Sequence, residues 1–169
     1  MNETDLMSEA PLMTTIPDDP LFQTRVLDAW VDYNGHMNDA EYARVFSLAV
    51  EAVMDRVGLD EAGRAEHGYT IYTLETHLCY RQQAHRGEGL RVALTLLDSD
   101  AKRLHVLFTL NNVDGDVLAT SEQMLMGIDV ASGRPAPFPE PVATAVASLP
   151  AAGDEWPSAA GRRIGIRRG

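Results

Sequence analysis

The sequence predicts an α+β domain in which an antiparallel sheet of about five strands wraps around one long central helix. Three observations point to it. Residues 39–57 repeat their apolar positions with the 3.6-residue period of a helix, and the chain from residue 69 to 129 alternates with the two-residue period of strands. The strand-like runs are separated by turns too short to hold crossover helices, so at least the last three must be antiparallel. A helix apolar over so much of its circumference needs enclosure, and a meander of long strands can supply it.

Residues 1–20 are acidic, end in Pro17-Asp18-Asp19-Pro20, and are expected to form a flexible segment ahead of a domain spanning 21–149. Phe22 to Leu27 alternates as a first strand. A loop over 29–38 follows, turning at Asn34-Gly35, a pair that tolerates positive φ. Asn38 and Glu41 have the spacing of an N-cap and its reciprocal partner, so the helix should begin near Asp39. Ala43, Phe46, Ala49, Val50, Val53, Met54 and Val57 make its apolar face, Val45, Leu48 and Ala52 broaden it, and Gly58 is the expected stop. Four strands are predicted near 69–80, 89–98, 103–113 and 116–129, with hairpin turns at Ser99-Asp100 and Asp114-Gly115. Ala143 to Leu149 suits a short helix, and 150–169 reads as a flexible, Arg-containing tail. A curled sheet around one helix leaves an unprotected edge, for which dimerisation is the usual remedy.

With 169 residues the chain suits one domain with a substantial core. Its 45% hydrophobic content and mean hydropathy of -0.17 describe a globular chain that does not span a bilayer. The acidic start carries no secretory pattern and Cys79 is the lone cysteine, so a cytoplasmic location and no disulfide framework are expected. The net charge of -11 argues against nucleic-acid binding. Arg162, Arg163, Arg167 and Arg168 stand apart from it in an acid-free terminus, either as a solvated end or as a basic arm for phosphates.

The chemistry concentrates in Trp30-Val31-Asp32-Tyr33-Asn34-Gly35-His36-Met37-Asn38-Asp39-Ala40-Glu41-Tyr42. This stretch sets a lone carboxylate, Asp32, in a tight loop just ahead of a helix whose first backbone N–H groups have no intrahelical acceptor. An isolated loop aspartate is ordinarily a turn former. Beside free helix N–H groups it also makes an acid next to a preformed oxyanion site.

This segment resembles the Asp-x-x-Gly-His-hydrophobic-Asn-Asn stretch of hotdog-fold acyl-CoA thioesterases, matched by Asp32, Gly35, His36, Met37 and Asn38. The last Asn is Asp39 here. The similarity extends through about residue 140, where Ala119 to Asp129 and Gly133-Arg134-Pro135-Ala136-Pro137-Phe138-Pro139 look like the family's last strand and exit. Within the family the motif is most similar to the betainyl-CoA thioesterases of carnitine degradation.

The resemblance implies hydrolysis of a small acyl-CoA in a homodimer or a dimer-of-dimers tetramer. It requires no metal or cofactor beyond coenzyme A as part of the substrate. It makes Asp32 the nucleophile or general base and gives the Asp39 backbone N–H to the thioester carbonyl. Asn34 is a candidate for holding water or for an Asx turn, and His36 for orienting Asp32, touching substrate or fixing the loop. Trp30, Tyr33, Asn38, Asp39 and Tyr42 are candidate substrate contacts. The aromatics among them, with Phe46, suit a trimethylammonium cage or plain core, and Asp39 either attracts such a cation or faces solvent at the helix start. Arg81, Arg91, Lys102 and Arg103 are candidates for the coenzyme A phosphates. His77, His85 and His105 lack metal-ligand spacing, and no Gly-x-Ser-x-Gly elbow is present. A thioesterase for another small or aromatic acyl group, a hydratase on the same fold, and a non-catalytic acyl-CoA-binding protein are the rivals.

Overall fold

After β1 (Phe22–Arg25) the chain makes a 3-10 turn at Asp28–Trp30, runs through the Asp32 loop and enters α1 (Asp39–Arg56). The computed structural model describes residues 19–169, so nearly all of the expected N-terminal segment lies outside the described residues. Asn38 caps α1 by accepting the Ala40 N–H at 3.1 Å. The reciprocal half of the expected capping box does not form, because the Glu41 carboxylate pairs instead with Arg44 at 2.5 Å. Gly58, at φ 85°, takes the left-handed conformation just after the helix.

A second helix, α2 (Glu61–His67), was not expected from the sequence. It is capped by Asp60, whose carboxylate accepts the Gly63 N–H at 2.8 Å, and closed by Gly68 in the left-handed region. Then come β2 (Tyr69–Tyr80), β3 (Gly89–Ser99), β4 (Arg103–Asn112), β5 (Val117–Asp129), the two-residue β6 (Arg134–Pro135) and α3 (Glu140–Val146). The five strands and the long helix expected from periodicity are all present, and the terminal helix sits about three residues earlier than expected.

The sheet order is β1-β3-β4-β5-β2, with β6 on β5, and every ladder is antiparallel. Alternation puts Val92, Leu94 and Leu96 of β3, Val106, Phe108 and Leu110 of β4 and Leu125 of β5 in one buried cluster. α1 packs Tyr42, Val45, Phe46, Ala49, Val50 and Val53 into that cluster, with the Phe46 and Phe108 rings stacked at 6.2 Å. Each such fully buried large side chain contributes about 1.5–3 kcal/mol of transfer free energy. Ala43 departs from the expected face and is exposed, so α1 keeps one solvent-facing side.

Two features bear on the site. β2 is an edge strand, paired to β5 alone among the described residues, and Tyr72 and Leu74 are more than half exposed on it. β1 covers only Gly89 to Val92 of β3, and the chain after α3 occupies the edge beyond: Leu96 N–H donates to the Pro150 carbonyl at 2.7 Å and Ala152 N–H to the Leu96 carbonyl at 2.9 Å. The stretch expected as a free tail then crosses the outer sheet face. There Trp156 meets the His105 ring edge-on at 5.1 Å, and the Gly161 N–H donates to the Glu122 carboxylate. No helix among the described residues is long and apolar enough to cross a membrane.

Candidate active site

The Asp32 loop is a small hairpin closed by its own backbone. Asn38 N–H donates to the Trp30 carbonyl at 2.8 Å, Asp32 N–H to the His36 carbonyl at 2.9 Å, and Gly35 N–H to the Asp32 carbonyl at 3.0 Å. Gly35 has φ 76°, which explains a glycine at the tip of this turn. The Asp32 carboxylate is half-buried and accepts the Asn34 N–H at 2.8 Å and the His36 N–H at 3.4 Å through Oδ1. Its second oxygen has no hydrogen-bond donor among the described residues.

The hairpin pairing sets the residue carrying the acid against the strand that runs directly into α1. The Asp39 N–H, at the first helical position, has no acceptor among the described residues. A helix start and a carboxylate oxygen therefore lie at opposite sides of one short hairpin.

Segment 82–86 holds the hairpin from outside. Met37 N–H donates to the Ala84 carbonyl at 2.8 Å and Arg86 N–H to the Gly35 carbonyl at 3.1 Å. The His36 ring meets His85 edge-on at 5.0 Å, and His85 Nδ1 lies 3.5 Å from Glu88. Tyr42 fastens this segment to α1: its hydroxyl donates to the Gln82 carbonyl at 3.1 Å and accepts the buried Ala84 N–H at 3.0 Å. Burial pushes the Tyr42 phenol above its ordinary range, so it stays a neutral crosslink.

The candidate substrate contacts separate. Trp30 and Tyr42 belong to the core cluster, as does Phe46, while Tyr33 is 97% exposed at the hairpin tip. Asn34 is exposed and contributes its N–H to Asp32, and Asn38 is occupied as the cap. Asp39 is exposed, with one carboxylate oxygen accepting the Ala40 N–H at 2.9 Å. Sequence reasoning missed Tyr80, at the end of β2. Its hydroxyl donates to the Asp39 carbonyl at 3.2 Å and its ring meets Tyr42 edge-on at 5.2 Å. Burial, then the nearby Asp39 charge, pushes the Tyr80 phenol up. Only the fold brings residues 39 and 80 together; alternation along β2 was the available signal.

The four basic candidates also divide. Arg81 and Arg91 lie at the site end of the sheet, whereas Lys102 in the β3–β4 turn and Arg103 at the start of β4 lie at the far end. Arg103 is bound to Asp100 at 2.5 Å, and that partnership, foremost its side-chain hydrogen bond, holds the Asp100 carboxyl at about 2. Among the described residues no group of three or more His, Cys, Asp or Glu side chains converges as a metal site would require.

A long helix packed against a curled antiparallel sheet, with a carboxylate hairpin at the helix start, defines a thioesterase fold. A profile of the thioesterase-like superfamily matches residues 26–146, and the chain belongs to that family. It is 40% identical over 148 residues to the betainyl-CoA thioesterase of Pseudomonas aeruginosa, covering 86% of this chain and 93% of that protein. It is 38% identical over 156 residues to the L-carnitine dehydrogenase/betainyl-CoA thioesterase of Rhizobium meliloti, covering 88% of this chain but only 30% of that longer protein. A Staphylococcus aureus protein solved in complex with CoA superposes with a TM-score of 0.78 at 34% identity, covering 86% of this chain and 94% of that one.

Proposed function

We propose that this protein hydrolyses betainyl-CoA to betaine and coenzyme A, with Asp32 as the catalytic carboxylate. The observation that carries the proposal is the half-buried Asp32 carboxylate, with one oxygen free of donors among the described residues, across a single hairpin from an Asp39 N–H that has no acceptor among them. The two groups answer the two needs of thioester hydrolysis. The N–H stabilises the negative charge that develops on the carbonyl oxygen, and the carboxylate attacks the carbonyl carbon or takes a proton from the attacking water. The hydrogen bonds from Asn34 and His36 hold Oδ1 in place and leave the other oxygen for reaction. Coenzyme A leaves as the thiol. Side chains, backbone and water supply every group needed, so no cofactor is invoked.

The names of the relatives above support the acyl group, and the exposed Asp39 carboxylate beside the helix start suits a cationic acyl group better than a neutral one. The same proposal includes a cytoplasmic location, where acyl-CoA is available, and a homodimer formed along the free edge of β2.

Free-thiol release measured over betainyl-CoA, acetyl-CoA, hydroxybenzoyl-CoA and a medium-chain acyl-CoA tests class and substrate together. Turnover of betainyl-CoA above the others is expected, and no release from any of them would overturn the assignment. Asp32→Asn keeps size and hydrogen bonding but removes the anion, so turnover should fall by more than tenfold, about 1.4 kcal/mol of barrier, with circular dichroism unchanged. Retained activity would remove Asp32 from the mechanism.

A further inference from the structure

Trp30 and Tyr42 are committed to the core and Tyr33 is 97% exposed at the loop tip, so the three rings of the motif are separated from one another. The helix start nonetheless has an aromatic neighbour. Tyr80 is 51% exposed, edge-packed on Tyr42, and tied by its hydroxyl to the backbone of Asp39. Its ring is therefore held by two contacts and left about half exposed, near the exposed Asp39 carboxylate at the start of α1.

The geometry points to Tyr80 and the Asp39 carboxylate as the site for the quaternary ammonium of the acyl group, a proposal that rests on the thioesterase reading above. The chemistry of the substrate sets the location. In a betainyl thioester one methylene separates the quaternary nitrogen from the carbonyl carbon, so a carbonyl held on the Asp39 N–H places the cation near the side chain of the same residue. A trimethylammonium group has no N–H to donate and cannot be captured by hydrogen bonds. It is held by a ring face and a negative charge, which Tyr80 and Asp39 supply together. The Tyr80 hydroxyl is engaged with the Asp39 carbonyl, so it orients the ring; the ring itself carries selectivity.

The test compares betainyl-CoA with its neutral isostere, tert-butylacetyl-CoA, in which carbon replaces the quaternary nitrogen. The ratio of the two kcat/KM values is read for wild type, Tyr80→Phe and Tyr80→Leu. Tyr80→Leu should lower the ratio by about three- to tenfold, the size of a cation–π contact at a partly exposed site. Tyr80→Phe keeps the ring and should retain most of the preference while losing some overall rate, because the tie to Asp39 is gone. Equal losses on both substrates in Tyr80→Leu, or a ratio lost equally in Phe and Leu, would overturn the assignment. Wild-type hydrolysis of the isostere without preference for betainyl-CoA would overturn the cation site and leave the thioesterase intact, whereas silence on both would overturn the thioesterase reading itself.

Discussion

Asp39 occupies the position where the family motif has a second Asn, and it offers two separable groups. Its N–H belongs to the backbone and survives any substitution except proline, whereas its carboxylate is a local charge. Asp39→Asn should therefore spare hydrolysis of a neutral acyl-CoA while lowering betainyl-CoA turnover, read as the ratio of specificity constants at fixed ionic strength. A drop common to both substrates would assign the carboxylate to the helix start instead. Tyr42 makes a different kind of prediction. Tyr42→Phe deletes the acceptor for the buried Ala84 N–H and the donor to Gln82, so urea denaturation should show a loss of about 1–3 kcal/mol. The loop carrying Asp32 was legible in the sequence because an Asn-Gly turn and a cap are local signals. The fate of Tyr42 was not, since its hydroxyl partners lie 40 and 42 positions away.

The strands of the sheet were legible because their alternation runs for ten residues or more, from β2 through β5. α2 escaped because Glu61–His67 has seven residues, lacks an apolar stripe and contains Gly63; only its caps, Asp60 and Gly68, announced it. The capping partner at Glu41 failed for a local reason, since Arg44 one turn on competes for the carboxylate. A close approach between β2 and β5 was equally hidden. Gly127 sits under Tyr69, whose hydroxyl donates to the Ala136 carbonyl at 2.7 Å and whose burial pushes the phenol up to about 12. A Cβ at Gly127 would lie 1.6 Å from that hydroxyl oxygen. Gly127→Ala must displace the tyrosine, and thermal unfolding should report a loss of about 1–3 kcal/mol, the usual cost of overpacking. Gly133→Ala is not an equivalent control, because positive φ there strains any side chain whatever the space.

Across the whole molecule the two sheet edges are treated differently. The β3 edge is covered by β1 and then by residues 150–152, whereas β2 presents twelve residues paired on one side only among the described residues. An exposed Tyr72 and Leu74 on a strand with one open edge favour pairing with a second copy. Light scattering should accordingly give at least twice the 18.5 kDa chain mass, and replacing Leu74 by Lys should shift the population toward monomer. A fully active wild-type monomer would sink the shared edge. The sequence implied an unprotected edge without saying which strand would hold it, since strand order depends on contacts that periodicity does not encode.

The hairpin bearing Asp32 is clasped by residues 84–86, about fifty positions further along the chain. During synthesis, α1 can wind as soon as it leaves the ribosome, but the clasp does not yet exist. The nascent protein therefore carries an acid and a helix start that are not yet held in register, and the site takes its geometry only when β2 and the segment after it have folded back. Hydrogen exchange at Ala84 offers a clock for that event: its amide, bonded to the Tyr42 hydroxyl, should become protected together with the Asp32 loop and later than the amides of α1.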